Sequence, residues 1–170
     1  MVKDVNPQFI RARVVESATN TYTEIPVSLP TVQQLSDGKS LVIEILKIFI
    51  NTQMPDFQNV IISDTTVQLT TKPQTDLVRL SNPTTIFTES KTIFCVDTAA
   101  TDATLVYKSD DSTKVYDYSD GAGNGYLVGS NLVYFGIKGT NNMAAKNANI
   151  AILYRLKKVG ASELIGMIQH

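Results

Sequence analysis

The residues best equipped for chemistry fall in one stretch, Asp117 to Gly139, which reads DYSDGAGNGYLVGSNLVYFGIKG. Carboxylates beside a glycine-rich bend are the ingredients of a phosphate cradle or a metal loop. A dinucleotide-binding turn needs G-x-G-x-x-G between a strand and a helix. Here the glycines alternate at Gly121, Gly123 and Gly125, a β-type run follows, and no G-K-[ST] is present. An EF-hand loop needs oxygen ligands at its first, third and fifth positions, ahead of its glycine. Counting back from Gly121 puts Tyr116 at the first position, which fails. Two readings remain. One is a looser calcium site built from Asp117, Asp120 and backbone carbonyls. The other, which we expect, is a loop whose glycines supply positive φ angles, with no cofactor.

Other catalytic groups are sparse. The single cysteine, Cys95, lies in the apolar run KTIFCVDT, and the single histidine, His170, is the last residue. A nucleophilic cysteine needs a base beside it, so Cys95 reads as a buried structural thiol. Asp97, Asp102, Asp110, Asp111, Asp117 and Asp120 fall in loop-like regions. Nothing singles out a facing pair of the kind glycosidases use, and there is no tryptophan to stack a sugar. An enzyme is not expected. Basic residues gather near both ends: Lys3, Arg11 and Arg13, then Arg155, Lys157 and Lys158. Brought to one surface they would form a phosphate-binding patch; otherwise they are ordinary solvated strand faces.

The elements that must position these residues read as strands. FIRARVVES puts Ala12 and Val14 on one side of the pleat, with Arg11, Arg13 and Val15 on the other. TYTEIPVSLP buries Ile25, Val27 and Leu29, and Pro26 suits an edge strand. LVIEILKIFIN has two apolar faces, Leu41, Ile43, Ile45 and Phe49 against Val42, Leu46, Ile48 and Ile50. Its β-branched content favours a central strand over a buried helix. TTVQLTT, TDLVRLS and TIFTESKTIFCVDT follow, then ATLVYKS and TKVYDYS flanking DDS as a hairpin. GYLVGS, NLVYFGIKG and NIAILYRLKKV complete the set. Helix is expected only as a single turn in NNMAAKNAN and in SELIGMIQ, where Ser162 is an N-cap and Leu164, Ile165 and Ile168 share one side.

Composition bounds the class. The chain has 170 residues, 43% of them hydrophobic, enough for one domain with a sizeable core. We read it as a single β-sandwich domain over 1–170, with an N-terminal segment 1–8 and a tail 159–170. Charged residues make up 18%, below the ~25% usual for soluble domains, which fits a surface partly hidden against partners. Fifteen Lys and Arg face sixteen Asp and Glu, for a formal net charge of −1, so a safeguard against self-association is weak. The N-terminus lacks the apolar core of a signal peptide. The longest apolar run is interrupted by Glu44 and Lys47 and is too short to span a bilayer. No membrane partner is expected.

The order of elements resembles that of single jelly-roll capsid proteins of small icosahedral viruses. The eight strands would be FIRARVVES, TYTEIPVSL, LVIEILKIFI, TVQLTT, TIFTESKTIFCV, GYLVGS, LVYFGIKG and NIAILYRLKK, with ATLVYKS and TKVYDYS as an insertion. The resemblance implies an all-β antiparallel sandwich with a short C-terminal helix or tail. It also implies a structural subunit that self-assembles into an icosahedral shell enclosing nucleic acid. Such a protein is made in the host cytoplasm and resides in the virion. Leu164, Ile165 and Ile168 would dock on a neighbouring subunit, while Lys3, Arg11 and Arg13 would face the genome through non-specific phosphate contacts. The chain lacks the Arg-rich arm many coat proteins carry, and its net charge cannot offset a genome's phosphates. The alternative is a β-sandwich binding module: a fibre head, a tail component or a lectin-like trimer. One feature separates the folds. LVGSNLV reads as a tight hairpin around Gly129 and Ser130 within one sheet, whereas a jelly roll sends YLV and LVYFGIK to opposite sheets.

Overall fold

A computed structural model describes residues 7–30, 33–35, 37–56, 62–93, 113–122, 124–160 and 162. The described strands are β1 (Gln8–Val15), β2 (Thr23–Ser28), β3 (Gln33–Gln34), β4 (Ser40–Thr52), β5 (Ser63–Thr70), β6 (Thr85–Ile93), β7 (Lys114–Asp117), β8 (Tyr126–Val128), β9 (Leu132–Thr140) and β10 (Asn147–Val159). They form two antiparallel sheets. Sheet I runs β1, β10, β4, and the far edge of β4 is shared by β3, β8 and β7. Sheet II runs β2, β9, β5, β6. Each sheet thus has four strand positions, and the chain crosses between sheets at six of the nine steps from β1 to β10. This is a jelly roll. The test posed by LVGSNLV is met: β8 pairs with β4 in sheet I, and β9 pairs with β2 and β5 in sheet II.

The core lies between the sheets. Ile43, Ile45, Ile48, Ile50, Ile150 and Ile152 of sheet I face Val27, Val67, Leu69, Val133, Phe135 and Ile137 of sheet II. Strand β10 alternates, with Ile150, Ile152 and Tyr154 inward. Pro26 sits on edge strand β2, where its missing N–H costs no central ladder bond.

Strand β4 corrects the simple alternation. Leu153 is opposite Lys47 and Tyr154 is opposite Ile45, so Leu46 has no partner in β10. This bulge inserts one residue and reverses the faces beyond it. Ile43 and Ile45 point inward as expected, but Ile48 and Ile50 then take over the core, and Phe49 turns outward. The same point organises the opposite edge. The Tyr118 N–H donates to the Leu46 carbonyl at 2.9 Å, and Tyr126 is opposite Ile45. Strands β7 and β8 are therefore one strand line, interrupted by an excursion that leaves at Tyr118 and returns at Tyr126.

That geometry corrects a second expectation. TKVYDYS is not part of a separate insertion: Lys114–Asp117 pairs with Ile50–Lys47 on the edge of β4. Two further segments differ. TDLVRLS forms no strand, because the segment 71–84 lies against the outer face of sheet II and its backbone binds side chains. Val78 N–H donates to Gln68 Oε1 at 2.8 Å, and Gln74 N–H donates to Glu24. NNMAAKNAN forms no helical turn; Asn141 has φ 54° and β10 begins at Asn147. The cause is a polar network that holds this bend. Asn142 exchanges bonds with Asn20, and Asp56 accepts from Met143 and Ala144 N–H. ATLVYKS, Cys95 and most of the SELIGMIQ tail lie outside the described residues; Ser162 itself is helical.

Candidate functional site

The two sheets present different outer faces. Sheet II is covered by its own segment 71–84, tied down by fully buried Gln68, which donates to Tyr22 Oη at 2.8 Å, and by the Lys138–Asp76 pair at 2.9 Å. Sheet I is closed at its Val42–Glu44 end, where both outward side chains are fully buried, but its other end is open among the described residues. Its register places side chains in cross-strand rows. Arg11, Ala151, Phe49 and Val115 form one row across β1, β10, β4 and β7. Phe9, Leu153, Lys47 and Asp117 form the next, and Arg13, Asn149 and Asn51 flank the first on its other side. Phe9 is 48% exposed and Val115 is 52% exposed. The Phe9 and Phe49 rings lie 6.0 Å apart, and the Arg11 guanidinium sits 5.2 Å above the Phe9 ring. The result is an apolar, aromatic stripe with arginines along it.

The charges of this face divide into paired and unpaired. Lys47 bonds Asp117 at 2.8 Å. Arg155 and Lys157 both bond Glu44, whose side chain is fully buried. Arg11 and Arg13 are exposed and have no ion-pair partner among the described residues. The sequence asked whether the basic residues of the two ends share a surface. Among the described residues they do: β1 and β10 are neighbours, and Arg11, Arg13, Arg155 and Lys157 point to the same side. Lys158 differs, bonding Asp37 at the far end of β10.

Glu44 explains much of the glycine stretch. It accepts from Gly125 N–H at 2.9 Å and from Lys157 Nζ at 2.9 Å, as well as from Arg155. Burial pushes its carboxyl up, but the Gly125 N–H and the two cations outweigh that and hold it below the ordinary carboxylate value. A Cβ on Gly125 would overlap the Ile45 carbonyl oxygen, so only glycine allows the returning chain to rejoin β4. Gly121, at φ +77°, takes the left-handed turn.

The two aspartates expected as candidate metal ligands are both bonded within this loop region. Asp117 accepts from Ser119 N–H at 3.0 Å and Ser119 Oγ at 2.6 Å besides its bond to Lys47, and these keep its carboxyl well below the usual range. Asp120 accepts from Ala122 N–H and Asn124 N–H, each at 2.9 Å, and from Asn124 Nδ2 at 2.8 Å. Among the described residues, no group of three or more His, Cys, Asp or Glu side chains gathers to hold a metal. Asp117 ends β7 and Asp120 lies on the excursion that follows, and each faces its own donors.

Lys3, Leu164, Ile165 and Ile168 lie outside the described residues, as do Asp97, Asp102, Asp110, Asp111 and His170. No helix among the described residues is long and apolar enough to cross a membrane. Beyond the Arg13 row a polar cleft of about 460 Å³ opens between Asn51, Gln53, Met54, Asp56, Lys146 and Asn147. Sequence reasoning missed the aromatic stripe. Phe9 was legible, since it shares the phase of Arg11 and Arg13, but Phe49 was hidden by the bulge at Leu46.

No protein-family model matches the sequence, and no curated protein sequence matches it. Solved structures do match. The chain is similar to Merkel cell polyomavirus VP1 solved as an unassembled pentamer, at a TM-score of 0.54 and 9% identity, covering 90% of this chain and 95% of that one. It is similar to human polyomavirus 12 VP1 in complex with 3'-sialyllactosamine, at 0.51 and 9%, covering 91% and 100%. A third match, Merkel cell polyomavirus VP1 in complex with disialyllactose, has 0.53 and 8%, covering 90% and 95%. At such identity the likeness is one of fold. The fold is that of jelly-roll viral capsid proteins, and it extends over nine-tenths of the chain.

Proposed function

We propose that this chain is a structural subunit of a virus-like shell, which assembles from copies of itself around nucleic acid and resides in the virion. The observation that carries the reading is the topology. Eight strand positions are divided between two four-position antiparallel sheets, and the similar solved structures are viral capsid proteins, one of them a pentamer. Low charge and the half-exposed Phe9, Val15 and Val115 on sheet I suit a protein that spends its working life against partners. The apolar stripe of Leu164, Ile165 and Ile168 in the tail docks on a neighbour, and Lys3 adds charge toward the genome. A calcium ion at Asp117 and Asp120 would have to displace Lys47 and Asn124 from their carboxylates, so the shell is proposed without one.

Sedimentation of the purified full chain tests the reading. The expected outcome is fast-sedimenting particles, lost in Leu164→Asp/Ile168→Asp while the β-type circular dichroism stays. Normal particles from that variant would remove the tail from the interface.

A second reading is a glycan-binding module, favoured by the amide-lined cleft at Asn51, Gln53 and Asn147 and by the sialylated glycans in two of the similar structures. Saturation-transfer NMR with 3'-sialyllactose would show contact that Gln53→Ala/Asn147→Ala abolishes. A spectrum without transfer would remove this reading.

A further inference from the structure

We infer that the outer face of sheet I is a binding platform for single-stranded nucleic acid, with Phe9 and Phe49 as the base-stacking surface and Arg11 and Arg13 as the phosphate contacts. The inference deepens the shell reading, on which it rests for the identity of the polymer.

Three observations lead there. The first is charge. The chain as a whole carries −1, yet this face holds two unpaired arginines on neighbouring outward positions of one strand, while its carboxylates, Glu44 and Asp117, are already taken by Arg155, Lys157 and Lys47. The surplus is positive and local. The second is the mixture of side chains. Exposed aromatic rings beside arginines are what sequence-tolerant single-strand binding uses: rings stack unpaired bases and cations follow the backbone. Exposed Phe9 and half-buried Phe49 stand 6.0 Å apart, with Arg11 over Phe9, and Asn51 and Asn149 share the Arg13 row. A duplex keeps its base faces stacked inside and would leave the rings unused. The third is the exposure of the end of sheet I that carries Phe9 and Val115. Sheet II buries its outer polar side chains under segment 71–84, whereas Phe9, Val15 and Val115 remain about half exposed on sheet I.

A second copy of this chain is the competing occupant of an apolar face. Pairing sheet I with its own twin about a two-fold axis would bring the unpaired arginines of both copies into one interface. A phosphodiester chain instead neutralises them.

The experiment is fluorescence anisotropy of the unassembled full chain with a labelled twenty-residue oligothymidylate across a salt series, with sedimentation of the same samples. The expected result is salt-dependent binding. Arg11→Glu/Arg13→Glu should weaken it at least tenfold and flatten the slope of log affinity against log salt by about 1.4, at about 0.7 per lost phosphate contact. Phe9→Ala keeps both charges and should weaken binding about tenfold with little change in slope. The charge-matched control, Lys72→Glu/Arg79→Glu on exposed positions over sheet II, should change affinity less than threefold. Equal losses in control and test variants, or competition by heparin with no effect of Phe9→Ala, would reduce the site to general polyanion attraction and overturn the proposal. Unchanged oligonucleotide affinity with altered self-association would hand the face to a second copy. Shell particles with normal nucleic-acid content from the arginine variant would sink the platform while leaving the shell reading intact.

Discussion

At the scale of single residues, the glycine stretch is an anchoring device. Glu44 is the residue that makes it one, because its fully buried carboxylate ties Gly125 N–H to Arg155 and Lys157. Glu44→Ala should lower stability by about 2–4 kcal/mol in urea unfolding, since it removes the buried carboxylate that two partly buried cations and one N–H share. Its pH signature has a defined sign. The folded carboxyl lies below its ordinary value, so the contribution is complete above about pH 4.3 and is lost as pH falls through the lower folded value. Glu44→Gln should therefore show a shallower loss of stability between pH 4 and 2 than the parent chain. The opposite limb belongs to two tyrosines that close the β6–β7 edge. Tyr116 bonds Glu89 and stacks on Phe87 at 5.4 Å, and Tyr118 donates to the Ile86 carbonyl. Burial, aided by Glu89 at Tyr116, pushes both phenols up to about 12. Their stabilisation is intact below pH 10 and is lost as pH rises through 12. Tyrosinate absorbance should rise in two stages, the later one coinciding with unfolding; a single stage near pH 10 would contradict the burial.

At the scale of elements, β4 carries the main lesson about legibility. Its strand state followed from ten residues that are nearly all apolar and often β-branched. Its faces did not, because an alternation rule assumes an unbroken pleat and nothing in ILKIF announces a bulge at Leu46. The consequence is measurable. Ile48→Ala should cost about 2–5 kcal/mol, as a core deletion does, while Phe49→Ala should cost less than about 1.5 kcal/mol because its ring lies on the outer face. The reverse order would mean that β4 has no bulge. Segment 71–84 failed for a different reason: TDLVRLS has strand-like residues, but Gln68 and Glu24 offer its N–H groups side-chain acceptors in place of a ladder. The excursion between Tyr118 and Tyr126 gives a further contrast. Gly125→Ala drives a methyl into β4 and should destabilise by more than about 1–3 kcal/mol. Gly121→Ala meets no atom within 4 Å and should cost only the ~1–2 kcal/mol of a left-handed backbone.

At the scale of the whole molecule, the sheet assignment was the part most open to reading from sequence. Eight short apolar runs at regular spacing, with YLV and LVYFGIK as the deciding pair, led to a jelly roll, and those two runs do lie in opposite sheets. What pattern could not supply is which outer surface keeps its apolar side chains half exposed among the described residues. That depends on whether a loop folds back, as 71–84 does over sheet II, and on an inserted residue that turns Phe49 outward. The shell reading follows from this architecture and is tested most directly by negative-stain electron microscopy of the purified full chain. The account predicts closed, uniform particles that form from this chain alone. Monomers or small rings at every protein concentration and salt would contradict it.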